Sequence, residues 1–321
     1  MRKTSEVYKK IYHYTTWNGV LEIIKSQRLW STHYKFLNDF SEIILFKKPL
    51  ISFLYPYVLQ SYERVVSQYP HILADIKTTG GIHQNAKHDT DAFVTAQYSA
   101  TGDEIYILSF CGEHKEKYIN DNGLLSQWRA YGVDGGCALV FDTKEIEELC
   151  KYEFANYQYN HIHISDLIYS DDKDKLEKEL SDDLGVLAMD AIKMFNPDLW
   201  KGETEETILK GYYSFLRCIT RYKHRGFKEE NEVRIVALPS NNLSLDTNNN
   251  SSKKDKTILF KSKNGLNVPY IELFDSDEII LPIEKIIVGP HREKELRAKT
   301  LEVMLRKTKI EIMCSDIPYI S

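Results

Sequence analysis

The chain has 321 residues, 42% of them hydrophobic and 28% charged, the balance of a globular protein with an ample core, which excludes a disordered or fibrous chain. A formal net charge of −5 excludes a globally basic nucleic-acid coat and leaves only a local basic groove open. The 5 cysteines (Cys111, Cys137, Cys150, Cys218, Cys314) are scattered, odd in number and without a CxxC pair, so neither a disulfide framework nor a zinc site is indicated and a reducing cytoplasm fits best.

In chain order, residues 11–15 read as a strand and 16–27 as an amphipathic helix with Val20, Leu21, Ile23 and Ile24 inward. Residues 29–32 read as a second strand, and Asn38 or Asp39 as the cap of a helix with carboxylates in its first turn. From 43 to 98 the pattern is a helical insertion, interrupted by Pro49, Pro56, Pro70 and Gly80-Gly81. Residues 105–110 and 136–141 are buried-strand candidates, and another strand is expected near 162–169. Residues 166–206, rich in Asp and Glu, read as an acidic helical insertion rather than core. A helix ending in a cationic run leads to Val233–Leu238, which has the β-branched content of a strand. Residues 240–256, SNNLSLDTNNNSSKKDK, are too polar to bury and read as a mobile loop. Strands near 257–261, 269–274, 285–288 and 309–313, with a basic helix at 292–306, complete an α+β chain with a mixed sheet and helical insertions. The start, MRKTSEVYKKIYHY, has no apolar leader, and no run reaches the roughly 18 apolar residues of a membrane span, so no membrane association is expected.

The chemistry concentrates in residues 225–238, RGFKEENEVRIVAL. Alternate residues of an extended chain point to the same side, so Glu230 and Glu232 are expected to face one cleft. Upstream, Arg217, Arg221, Lys223, Arg225 and Lys228 suit a phosphate-bearing substrate, although a solvated helix end has the same composition. His13 sits on a strand between aromatics, as a hydrogen-bonded core histidine or as a ligand group. Ser109 puts a hydroxyl near a buried strand's end, where open sheets gather site residues. In QWRAYG, Trp128 and Tyr131 suit a core, but Gln127 and Arg129 beside them are costly to bury unpaired and call for a ligand or an internal ion pair. Dinucleotide and triphosphate glycine loops, a GxSxG elbow and an HExxH helix are all missing, and His161 with His163 lacks a spaced third metal ligand.

Taken in order, YHYT, LWSTHYKFLNDFSE, LSF, LLSQWRAYG, FKEENEVRI and IIVGP resemble a widespread uncharacterised bacterial family with the pattern YHYT, LW(A/S)T, NDxxE, SFS, QWRxYG, FxxExExR, IxxGP. That family is distantly similar to ADP-ribosyltransferases, including toxin members of phage-defence loci. The resemblance implies one domain over residues 1–321 with a split mixed sheet and NAD in a cleft between half-sheets. It implies that His13 holds a ribose of NAD, Ser109 is the mid-chain strand serine, Glu232 is the catalytic glutamate and Glu230 the acceptor-side one, with Cys111 in place of the usual second serine. Tyr14, Trp128 or Tyr131 would stack on the cofactor rings and Arg129 and Lys35 would meet the pyrophosphate, with Thr15, Asn38 and Gln127 completing the set. Arg221, Lys223, Arg225 and Lys228 would carry the acceptor, RNA or single-stranded DNA ahead of a protein. An antitoxin docking on the acidic stretch is a further expectation, and a nucleotide-binding module without turnover is the alternative.

Overall fold

The computed structural model describes residues 2–37, 42–100, 104–132, 135–170, 173–195, 204–240, 253–263 and 265–318. The chain is mixed α/β and divides into two compact units: Asp39–Asp103 with Ile168–Arg225 in one, and Arg2–Asn38, Glu104–Leu167 and Gly226–Ser321 in the other. Its strands are β1 Lys10–Thr15, β2 Leu29–His33, β3 Tyr106–Gly112, β4 Cys137–Asp142, β5 Tyr159–Asp166 and β6 Ile168–Tyr169. They continue with β7 Tyr222–Lys223, β8 Glu232–Pro239, β9 Leu259–Lys263, β10 Leu266–Leu273, β11 Ile283–Val288 and β12 Glu311–Cys314. Among the described residues, no helix is long and apolar enough to cross a membrane.

Among its described residues the first unit is helical apart from the parallel pair β6 and β7. The two stretches read from sequence as separate insertions share one core here: Val58 and Ala86 from the first meet Ala191 from the second, with Tyr62 and Phe195 rings 5.0 Å apart. Pro49 and Pro56 do not interrupt the helix Lys47–Gln68, contrary to expectation. Pro49 lies in its first turn, where the missing N–H has no intrahelical partner to lose, and at Pro56 the burial of Leu50, Leu54 and Val58 on one face outweighs a lost bond. The breaks fall instead after Gln68, before Pro70, and at Gly80-Gly81, both glycines having positive φ. The acidic stretch also departs from a purely solvated reading. Leu184, Leu187, Ala188 and Ala191 of the helix Ser181–Lys193 are buried, and its Asp183 accepts from Arg217 Nε at 3.0 Å and Nη2 at 2.5 Å.

Among the described residues the second unit carries ten strands in a branched sheet with the path β12-β11-β4-β1-β3-β2-β10-β9, from which β8 and β5 leave at β3. One face is packed by Ile11, Leu108, Phe110, Leu139, Phe141, Val233 and Ile235, the other by Tyr12, Tyr14, Leu124, Trp128, Val140 and Ile287. Period-2 alternation of apolar side chains on strands covered on both faces accounts for the near-continuous apolar runs of β3, β4 and β8. The expected strand over 162–169 divides at Leu167, β5 belonging to the sheet unit and β6 to the helical one.

The branch at β3 creates a split. β8 pairs with β3 all along Tyr106–Cys111, which occupies one edge of that strand. On the opposite edge β1 pairs only at Cys111 and Gly112, and β2 only at Tyr106 and Ile107. Leu108, Ser109 and Phe110 therefore face an opening between the diverging ends of β1 and β2. Those ends are joined by the helix Trp17–Ser26, whose Thr16 side chain accepts from Gly19 N and whose Gln27 closes it in the left-handed region at φ 54°. Of the polar loop expected over 240–256, residues 241–252 lie outside the described residues; its end is held down rather than mobile, Lys254 exchanging backbone bonds with Asn156 and Gln158 at 2.9 and 2.8 Å.

Candidate functional site

At the apex of the split, His13 Nδ1 lies 3.2 Å from the Ser109 carbonyl oxygen. A carbonyl only accepts, so Nδ1 carries the proton and Nε2 the lone pair, which makes no hydrogen bond among the described residues. The ring stands edge-on to Phe110 at 5.6 Å. Burial pushes the imidazole down from 6.5 to about 4, only partly opposed by the Ser109 bond, so at neutral pH it is a neutral donor–acceptor. In the unfolded chain the same ring protonates near its ordinary value, so stability is full above about pH 6.5 and is lost as pH falls toward 4, by on the order of 3 kcal/mol. Urea unfolding over that range is expected to show this slope in the wild type and its loss in His13→Asn; parallel curves would refute a neutral, half-buried His13.

Across β3, the register sets Ser109 opposite Arg234 and Cys111 opposite Glu232, so these four share one face of the sheet. Arg234 Nε donates to Glu232 Oε1 at 2.6 Å and Nη2 to Oε2 at 3.1 Å, with both residues 5% exposed. The fork holds the carboxylate in one orientation. The half-buried Ser109 hydroxyl makes no hydrogen bond among the described residues. Glu230 does not share the face of Glu232 in the manner of alternate strand residues. It ends the 3-10 turn Arg225–Glu230, and Asn231 at φ 46° turns the backbone before β8 starts.

The aromatic candidates divide by burial. Tyr14 is buried, its hydroxyl accepting from Leu124 N at 2.8 Å and its ring meeting Trp128 edge-on at 4.9 Å. Trp128 is 1% exposed and donates from Nε1 to the Asn122 carbonyl at 2.9 Å. A Cβ on Gly123, where φ is 79°, would lie 2.5 Å from that indole, so the turn itself is shaped around the ring. As corrections, Tyr14 and Trp128 are packing residues without a free ring face, while Tyr131 and Arg129 are exposed, so the cost of burying Arg129 does not arise. Gln127 is buried and its amide makes no hydrogen bond among the described residues. Thr15 ends β1 half-buried and Lys35 is exposed beside Tyr34, while Asn38 lies outside the described residues.

The five cations do not form one open surface. Arg221 and Lys223 are each 2% exposed in the helical unit, where Arg221 Nη2 meets Glu179 at 2.9 Å. Arg217 is taken by Asp183, so carboxylates of the acidic stretch neutralise two of the five. Arg225 and Lys228 are exposed, the first assigned to the helical unit and the second to the sheet unit. Among the described residues no group of three or more His, Cys, Asp or Glu is placed to hold a metal ion, and the His161 and His163 rings lie 5.0 Å apart on β5.

Two residues of this face were missed in reading the sequence. Arg234 was legible, since it follows Glu232 by two on a strand and so shares its face. Lys261 of β9 carries no local signal and comes to the split only through the pairing of β9, β10 and β2. A family model described as a protein of unknown function, DUF2971, matches residues 127–235. That span takes in Gln127, Trp128, Glu232 and Arg234 and leaves out β1 with His13. No curated protein matches the chain, and no solved structure does.

Proposed function

We propose that the sheet unit is an NAD-dependent ADP-ribosyltransferase whose cofactor lies in the split of β3. The observation carrying this reading is the neutral His13, tied by Nδ1 to the Ser109 carbonyl with Nε2 left to accept a ribose hydroxyl. Breaking the nicotinamide–ribose bond develops positive charge on the sugar, and a fixed carboxylate on the same face as Ser109 is what such a transition state needs. Glu232 lies on that face, with Arg234 orienting it, whereas strand alternation starts His13 from the face of Ile11 and Phe110, so a ribose held by both lies in the split itself, between β1 and β2. The resemblance to phage-defence toxins makes single-stranded nucleic acid the preferred acceptor, and of the expected cations the sheet unit contributes the exposed Lys228 toward its phosphates.

One observation favours a second reading. Because Arg234 balances Glu232, the pair has no net charge to offer, which suits a module that binds a nucleotide without turning it over. Release of nicotinamide from NAD decides between them: the transferase releases it, whereas tight NAD binding without release in the presence of cell lysate supports the module. With labelled NAD and lysate, label on high-mass material should be lost to nuclease. Label that survives nuclease and is lost to protease identifies a protein acceptor instead.

A further inference from the structure

Two other lysines of the sheet unit with buried or half-buried ammonium groups meet carboxylates, Lys256 with Glu153 and Asp275 at 2.5 and 2.7 Å and Lys10 with Asp142 and Glu284 at 3.1 and 2.5 Å, while the half-buried Lys294 donates to the Ser315 carbonyl at 2.7 Å. Lys261 is different. It is half-buried, and among the described residues it forms no ion pair. Its Nζ donates to Thr32 Oγ1 at 3.3 Å and lies 5.2 Å from the Trp30 ring centroid and 5.5 Å from that of Tyr270, two rings themselves 4.8 Å apart. Burial, with Lys263 adding to it, lowers its proton affinity, and its own charge acts in turn on His13. A desolvated cation with a second lysine nearby and only ring faces and one hydroxyl as partners lacks the anion that would complete it.

Its place in the sheet says which anion. Thr32 is the last β2 residue before the split to pair with both sides, facing Ile107 of β3 and Tyr270 of β10. Trp30 and Ser31, which would continue the ladder toward Ser109 and Leu108, do not pair with β3. Pairing of Thr32 with Ile107, and of Ile107 with Val236, puts Thr32, Trp30, Tyr270 and Lys261 on the face that bears Ser109, Glu232 and Arg234. The ammonium thus stands on the β2 side of the opening and His13 on the β1 side. We propose that Lys261, cradled by Trp30 and Tyr270, receives a phosphate of a nucleotide lying across the split. This inference rests on the split being the substrate cleft.

The test is calorimetric titration of the full chain with ADP-ribose, inorganic pyrophosphate and adenosine at low and high salt. ADP-ribose and pyrophosphate are expected to bind with salt-dependent affinity. Lys261→Met, which keeps an aliphatic stem between the rings, should weaken both by about tenfold or more, the loss of one charge-assisted bond, and leave adenosine unchanged. Lys261→Arg should restore most of the affinity, and Lys261→Gln serves should the Met variant not fold. Equal affinity of wild type and the uncharged variants for both phosphate probes overturns the proposal, even with nicotinamide released from NAD. So does a wild type that binds neither. Lys261-dependent binding without nicotinamide release upholds the phosphate site and refutes the transferase reading.

Discussion

Under the proposed transferase function, Glu232→Gln is expected to lower ADP-ribosyl transfer by about 10²-fold or more per folded molecule, the loss typical of removing one preorganised electrostatic group. The ion pair with Arg234 complicates the experiment. An amide keeps one acceptor oxygen but removes the charge that the 5% exposed Arg234 meets in its fork, so the single variant should also lose stability, by about 1–3 kcal/mol. The informative protein is therefore the neutral pair, Glu232→Gln with Arg234→Met, which removes both charges and is expected to recover most of that stability while staying inactive. Stability comes from urea unfolding and activity from nicotinamide release corrected for the folded fraction. A folded neutral pair with wild-type turnover would end the assignment of Glu232 to catalysis.

The other large effect is on stability alone. Lys256 Nζ, Tyr159 Oη and Phe274 N all donate to the wholly buried Glu153, at 2.5, 2.8 and 3.0 Å, and Lys256 also reaches Asp275 at 2.7 Å. This cluster ties the end of the polar loop to β5 and to the turn after β10. Lys256→Met is expected to cost about 3–5 kcal/mol at neutral pH, because it leaves a buried carboxylate uncompensated. Burial already pushes the Glu153 carboxyl up with Lys256 present, so without it the group should take up a proton more readily. The deficit should then shrink as pH is lowered, and adding Glu153→Gln should restore part of the loss at pH 7. A Lys256→Met protein within about 1 kcal/mol of wild type across this range would show the cluster to be dispensable.

Much of the local structure was legible from periodicity. The strands at β1, β2, β3, β4 and β8, and the helix Trp17–Ser26 with Val20 and Ile23 inward, follow from patterns set by neighbours a few residues apart. So does the shared face of Glu232 and Arg234. The acidic composition of residues 166–206 was equally plain, but whether those carboxylates meet solvent or arginine depends on a helix placed by tertiary packing; Asp183 and Arg217 are 34 residues apart.

The limits of sequence reading have the same cause at each site. Trp128 looked like a stacking residue because burial is not a local property, and Glu230 lost its alternation with Glu232 to a single left-handed residue, Asn231. By itself the sequence determined the strands β1 to β4 and β8 and a mixed α/β class, since these depend on the geometry of short stretches of backbone. Only the tertiary structure decided that β1 and β2 share one edge of β3 without meeting, that His13 turns to the Ser109 carbonyl, and that Lys261 arrives beside Trp30 from 231 residues away. Such register between distant strands is selected by the burial of both sheet faces at once, a sum over long-range contacts that no short window contains.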